Sequence, residues 1–129
     1  MKKQAGSLKE WVIWTLRKAS YRWPPRNAAF RAASISKAEY LRNPGESVTK
    51  RVRNFFRCAI CKKGFSRKGV SADHREPVIN PKRGFEGFDV YIPRLLCEER
   101  GFQIICHTDH DKKTHKETKL RVKYRRARR

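Results

Sequence analysis

Gly101-Phe102-Gln103-Ile104-Ile105-Cys106-His107-Thr108-Asp109-His110-Asp111-Lys112-Lys113-Thr114 sets an apolar pentapeptide directly against a run of sulfur, carboxylate and imidazole side chains. Phe102–Cys106 reads as a short buried strand, and a helix is expected to start near Asp109 and run into the tail. Further upstream, Val70–His74 reads as a second strand that ends on an adjacent Asp-His pair. Chemistry-bearing side chains thus gather at strand ends and at a strand-to-helix junction.

The segments around this unit read as follows. Residues 7–20 form a helix opened by the capping-box pair Ser7 and Glu10, with Leu8, Trp11, Val12, Ile13, Leu16 and Ala19 as its apolar stripe. Pro24-Pro25 stops that helix, and a second one covers Pro25 to Ile35. Asn43-Pro44-Gly45 signals a turn, and Arg51 to Phe56 is a strand leading towards Cys58. A Pro-rich loop spans Pro77 to Gly87, followed by a short helix from Phe88 to Leu96 with Tyr91, Leu95 and Leu96 inward.

Composition narrows the function classes. The chain has 129 residues with 33 Lys and Arg against 12 Asp and Glu, a formal charge of +21. That length excludes a large two-domain enzyme. No apolar run approaches the roughly 18–20 residues that span a bilayer. Nothing near the N-terminus reads as a secretory signal, so the expected location is cytoplasmic, with no membrane partner. A compact chain of this charge repels itself unless a polyanion is present, and nucleic acid is the polyanion that rewards Lys and Arg through counterion release. DNA is the leading partner, with RNA or a ribonucleoprotein as alternatives; composition does not fix the oligomeric state. Residues 112–129 alone hold ten Lys and Arg and one Glu, which reads as a nucleic-acid arm that orders on binding.

Four cysteines are present, at 58, 61, 97 and 106. Cys58-Ala59-Ile60-Cys61 has the spacing of a metal knuckle, and no surrounding βαβ pattern favours a redox reading. The second half is Cys106-His107-Thr108-Asp109, where the fourth position is carboxylate instead of thiolate. Zinc accepts carboxylate oxygen, so Asp109 can complete the set, with His107 or water as the other options. Cys97, among Leu95, Leu96 and Glu98, reads as a packing cysteine. Asp73 and His74, adjacent on a strand end, point to opposite sides.

Taken in order, Cys58 and Cys61, then Asp73-His74-Arg75-Glu76-Pro77-Val78, then Gly101 to Cys106, then His110-Asp111-Lys112-Lys113-Thr114 resemble the HNH endonucleases. The likeness is to the small phage-encoded HNH proteins with a zinc ribbon around a ββα-metal core. It covers about residues 50–115, including Gly84-Phe85 to Leu96. The resemblance implies an α+β fold: a small zinc-ribbon-stabilised ββα-metal core over 51–115, an N-terminal helical, basic and aromatic extension over 1–50, and a basic C-terminal helix or tail over 116–129. It implies DNA phosphodiester hydrolysis, by nicking or double-strand cleavage, in a bacterial host cytoplasm if the protein is phage-encoded. His74 would be the general base, and Asp73 and His110 would hold a catalytic Mg²⁺, Mn²⁺ or Ni²⁺. Cys58, Cys61, Cys106 and Asp109 (or His107) would hold a structural Zn²⁺. Arg75, Lys112, Lys113, Lys116, Lys119, Arg121, Lys123, Arg125 and Arg126 would contact nucleic acid.

Two positions depart from the family pattern. Gly101 occupies the slot of the motif's Asn, and Asp109 that of the last zinc Cys. These departures carry the alternative: a catalytically inactive HNH scaffold that binds nucleic acid or a ribonucleoprotein. The aromatic residues Trp11, Trp14, Tyr21 and Trp23 are interleaved with Lys9, Arg17, Lys18, Arg22 and Arg26. The expected arrangement is a helical hairpin packing those rings on the core; the other is an exposed surface that stacks on bases.

Overall fold

Val70–His74 (β4) and Phe102–Cys106 (β5) pair antiparallel from Val70 opposite Cys106 to His74 opposite Phe102, over the spans the sequence predicts. In this computed structural model, which describes residues 6–127, the helix α5 (His107–Ala127) follows β5 without a linker and packs on both strands. It starts two residues before the expected Asp109. The first five and last two residues, part of the N-terminal extension and of the basic tail, lie outside the described residues.

α1 (Leu8–Ser20) begins as expected, with the Ser7 hydroxyl accepting from the Glu10 amide at 3.2 Å. α2 (Pro24–Ala33) starts on the Pro pair, whose missing amides fall where a helix has no intrahelical acceptor. It stops two residues earlier than predicted. Ser34–Ile35 (β1) instead pairs with Phe55–Arg57 (β2), which pairs with Gly64–Ser66 (β3). A ladder against β2 wins over two more helical residues, one of them β-branched. A further helix, α3 (Lys37–Arg42), is capped by Ser36 and Glu39 in a complete capping box. Its Ser-x-x-Glu signature was present in the sequence and was missed.

α4 (Phe88–Leu95) lies between the two strands of the β4–β5 pair in sequence and buries Tyr91 and Leu95. The fold is therefore a small mixed α+β arrangement. Its core joins both sheets and α2: Phe30, Phe56, Phe65, Val70, Phe102, Ile104 and Ile105, with Cys58 and Cys106 at one side. The helix that starts after β5 carries the tail through Ala127, as the expected helix running into the tail does. No helix among the described residues is long and apolar enough to cross a membrane.

Candidate functional site: a sulfur cluster and a carboxylate–imidazole cleft

The turn between β2 and β3 bends Cys58 and Cys61 towards each other. Cys58 N–H donates to the Lys63 carbonyl at 2.9 Å, and Lys62 N–H donates to the Cys58 carbonyl at 3.0 Å. Lys62 adopts a left-handed φ of 67° to close the loop. The Ala59 amide donates to the Ile104 carbonyl at 2.8 Å, which ties this turn to β5 and brings Cys106 alongside. The first turn of α5 then adds Asp109. The ligand-type atoms of Cys58, Cys61, Cys106 and Asp109 all lie within 4.8 Å of one another, a group that can hold a metal ion.

The donor set fits a tetrahedral zinc. Ligands about 2.3 Å from a tetrahedral centre stand about 3.8 Å apart. The Cys61 and Cys106 sulfurs are 4.0 Å apart, and Asp109 Oδ2 is 3.2 Å from the sulfurs of both Cys58 and Cys106. Burial pushes the Cys106 thiol up to about 12 and raises that of Cys61. The Cys106 and Cys58 thiols donate to Asp109 and hold its carboxyl below the ordinary range. Two S–H protons thus converge on one ionised carboxylate, the place a cation would take. His107, the other option for a fourth donor, is exposed and stands apart from the group. Cys97 is also apart: it packs against the core, and its carbonyl accepts from the Trp23 indole N–H at 2.7 Å.

The opposite end of the strand pair carries Asp73 and His74. Helix α5 runs back along the strands from Cys106, so His110 and Lys113 arrive beside them. Asp73, His74 and His110 line one cleft of about 520 Å³, with walls from the Pro77–Pro81 loop, Leu95, Tyr21 and Arg17. Asp73 Oδ1 faces His110 Nε2 at 4.0 Å. Asp73 Oδ2 accepts from Gln103 Nε2 at 3.0 Å and from Lys113 Nζ, which also donates to the His74 carbonyl. One carboxylate oxygen is therefore anchored and the other is presented to the imidazole. Cis ligands of an octahedral cation with bonds near 2.1 Å stand about 3 Å apart. The present gap is wider, and His110, whose side chain is 38% exposed, has room to close it.

His74 stacks against Phe102, with ring centroids 4.8 Å apart, and its Nε2 lies 2.8 Å from the Leu95 carbonyl oxygen. A carbonyl only accepts, so Nε2 carries the hydrogen in this bond, and Nδ1 is the nitrogen not engaged by it.

Gly101 has a packing reason. A Cβ there would stand 2.5 Å from Cys97 Sγ, so no side chain fits without displacement. Its carbonyl accepts from the Arg75 amide at 2.9 Å and the Arg75 Nε donates to the Arg100 carbonyl at 2.9 Å, so main-chain bonds brace the turn beyond His74. Arg75 lines a separate hollow with Arg57 and Arg100, away from the cleft. Lys113 is engaged with Asp73, not free for phosphate, whereas Arg121 lines the cleft and Lys112, Lys116, Lys119, Lys123, Arg125 and Arg126 are exposed along α5. Sequence reasoning missed Gln103. Its alternation with Ile104 on β5, and its place opposite Asp73 once the strands pair, are the signals that find it.

No family model, curated protein or solved structure matches this chain.

Proposed function

We propose that this protein is a metal-dependent endonuclease of the HNH type that hydrolyses phosphodiester bonds in DNA, with a structural zinc at Cys58, Cys61, Cys106 and Asp109. The observation that carries the reading is the cleft in which Asp73 Oδ1 faces His110 Nε2 at 4.0 Å beside a His74 whose Nδ1 is left free by the Leu95 carbonyl. The antiparallel strands β4 and β5 followed by α5 support it as a ββα unit.

Asp73 and His110 would hold the catalytic cation, Mg²⁺, Mn²⁺ or Ni²⁺. Such an ion, when bound, supplies positive charge to the phosphate oxygens and the leaving oxygen. The chain's own residues do the rest. His74 Nδ1 takes one proton from a water; the resulting hydroxyl forms the new bond to phosphorus as the bond to the leaving sugar oxygen breaks, and that oxygen takes a proton from solvent. The Leu95 carbonyl fixes the ring orientation and stabilises the imidazolium that forms. Gln103 and Lys113 hold the Asp73 carboxylate in place through Oδ2. Arg121, the exposed cations of α5 and the net charge of +21 draw the DNA in.

Gly101 has a packing cause that is compatible with activity: Cys97 fills the space an Asn side chain would need, and the Arg75–Gly101 main-chain bond braces the turn. The test is conversion of supercoiled plasmid to nicked or linear forms by zinc-loaded protein with added Mg²⁺ or Mn²⁺. Conversion that stops when the added cation is withheld is expected. Salt-sensitive binding with no cleavage under any cation contradicts the enzyme and leaves the inactive scaffold.

A further inference from the structure

α1 does not pack its rings as a core helix does. It buries no residue completely; Trp11 is 54% exposed, Trp14 53% and Tyr21, at its C-terminal cap, 64%. At 3.6 residues per turn, Trp11, Trp14, Lys18 and Tyr21 fall within an arc of roughly 80°. The half-buried Val12, Leu16 and Ser20 face the other way. Trp23 shows the contrast: it is half-buried on the core and its indole N–H is bonded to Cys97.

The strip is charged as well as aromatic. Lys18 Nζ stands 4.5 Å from the Trp14 ring centroid, and the Arg26 guanidinium 5.0 Å from that of Tyr21. Arg17 and Arg22 are exposed beside it. Glu10, the acid of this helix, is folded back onto the Gly6 amide at 3.0 Å. The strip also leads somewhere: Arg17, Tyr21 and Arg26 line the cleft that holds Asp73, His74 and His110.

We propose that the outward face of α1 is a stacking platform for an unpaired DNA strand that runs into the cleft, so that the bond cut lies next to unpaired DNA of the kind negative supercoiling opens in a plasmid. Exposed rings interleaved with cations recognise the π-faces of bases and the adjoining phosphates together. The bases of a duplex hide those faces from a platform. The ten-residue separation of Trp11 and Tyr21 spans about 15 Å of helix, the reach of two or three extended nucleotides. The statement about the cleft rests on the nuclease reading; the platform itself is testable by binding alone.

The experiment uses the full zinc-loaded chain with His74→Ala, without added Mg²⁺ or Mn²⁺, so binding is read without cleavage. The probes are a fluorescein-labelled oligothymidylate of about 12 nucleotides, its uridylate counterpart, and a duplex of the same length. The oligothymidylate is expected to quench tryptophan fluorescence. Adding Trp11→Ala and Trp14→Ala should weaken its binding about thirtyfold or more while duplex binding changes less than about twofold. Trp14→Phe in place of Trp14→Ala should recover the part of the loss that belongs to position 14, about half of it in free energy, and thermal melting should confirm that the variants fold. Equal losses for single strand and duplex, or no loss for either, overturn the platform. Tighter binding of the uridylate overturns the assignment to DNA. Self-association of the chain that the double substitution abolishes, with oligothymidylate binding unchanged, assigns the face to a second copy and also overturns it. Failure of plasmid cleavage by the unsubstituted protein bears only on the nuclease reading.

Discussion

Asp109 and His110 are neighbours in the first turns of α5, yet they serve two differently built regions. Asp109 closes a cluster whose Cys58 and Cys106 are buried, with every donor already within reach of the others. His110 opens onto solvent across a 4.0 Å gap from a carboxylate oxygen that has no second anchor. A closed donor set suits a metal that holds a fold together; an open one suits an ion that must also take water and phosphate. One short element joins them: α5 leaves the cluster at Cys106 and lays His110 and Lys113 along β4, so the geometry of the cleft depends on the integrity of the cluster.

The sharpest way to break that comparison is to strip metal from one region at a time. Removing zinc with a tight chelator should cost on the order of 10 kcal/mol of metal-linked folding free energy and abolish cooperative thermal melting followed by circular dichroism. Withholding Mg²⁺ and Mn²⁺ from zinc-loaded protein should leave the melt unchanged. If both treatments shift the melt alike, the two regions do not differ in the way described.

A smaller effect is expected at the turn beyond the cleft. Gly101→Asn should destabilise by about 1–3 kcal/mol because its side chain meets Cys97 Sγ. Pairing it with Cys97→Ala should cost less than the two single changes added together in urea denaturation, since the same space is then vacated. The smallest effect belongs to the knuckle. Lys62→Gly should stabilise by up to about 1 kcal/mol in the same measurement, because glycine adopts the left-handed φ of 67° without a Cβ penalty.

The sequence reading found the parts of this molecule that local pattern controls. β5 is legible as a short apolar run between Gly101 and His107, β4 as the segment from Gly69 to the Asp73-His74 pair, and the start of α1 from Ser7 and Glu10. The cluster was legible because Cys-x-x-Cys followed by Cys-x-x-Asp places donors at turn spacing. Other features depend on what the chain meets in space. β1 exists because β2 offers an edge to Ser34 and Ile35. Lys113 reads as one more phosphate-binding cation until α5 lays it against Asp73. The free nitrogen of His74 is decided by a carbonyl of Leu95, twenty-one residues away. Trp11 and Trp14 look like core residues in an apolar stripe; only the placement of Val12 and Leu16 inward turns them out.

His74 is the side chain on which the proposed cleavage depends most directly. Supercoiled plasmid should be cleaved by zinc-loaded protein in Mn²⁺, and His74→Ala, with cooperative thermal melting retained, should lower that rate by about a hundredfold to ten-thousandfold, the usual contribution of a general base. Cleavage by His74→Ala at the unsubstituted rate would contradict it.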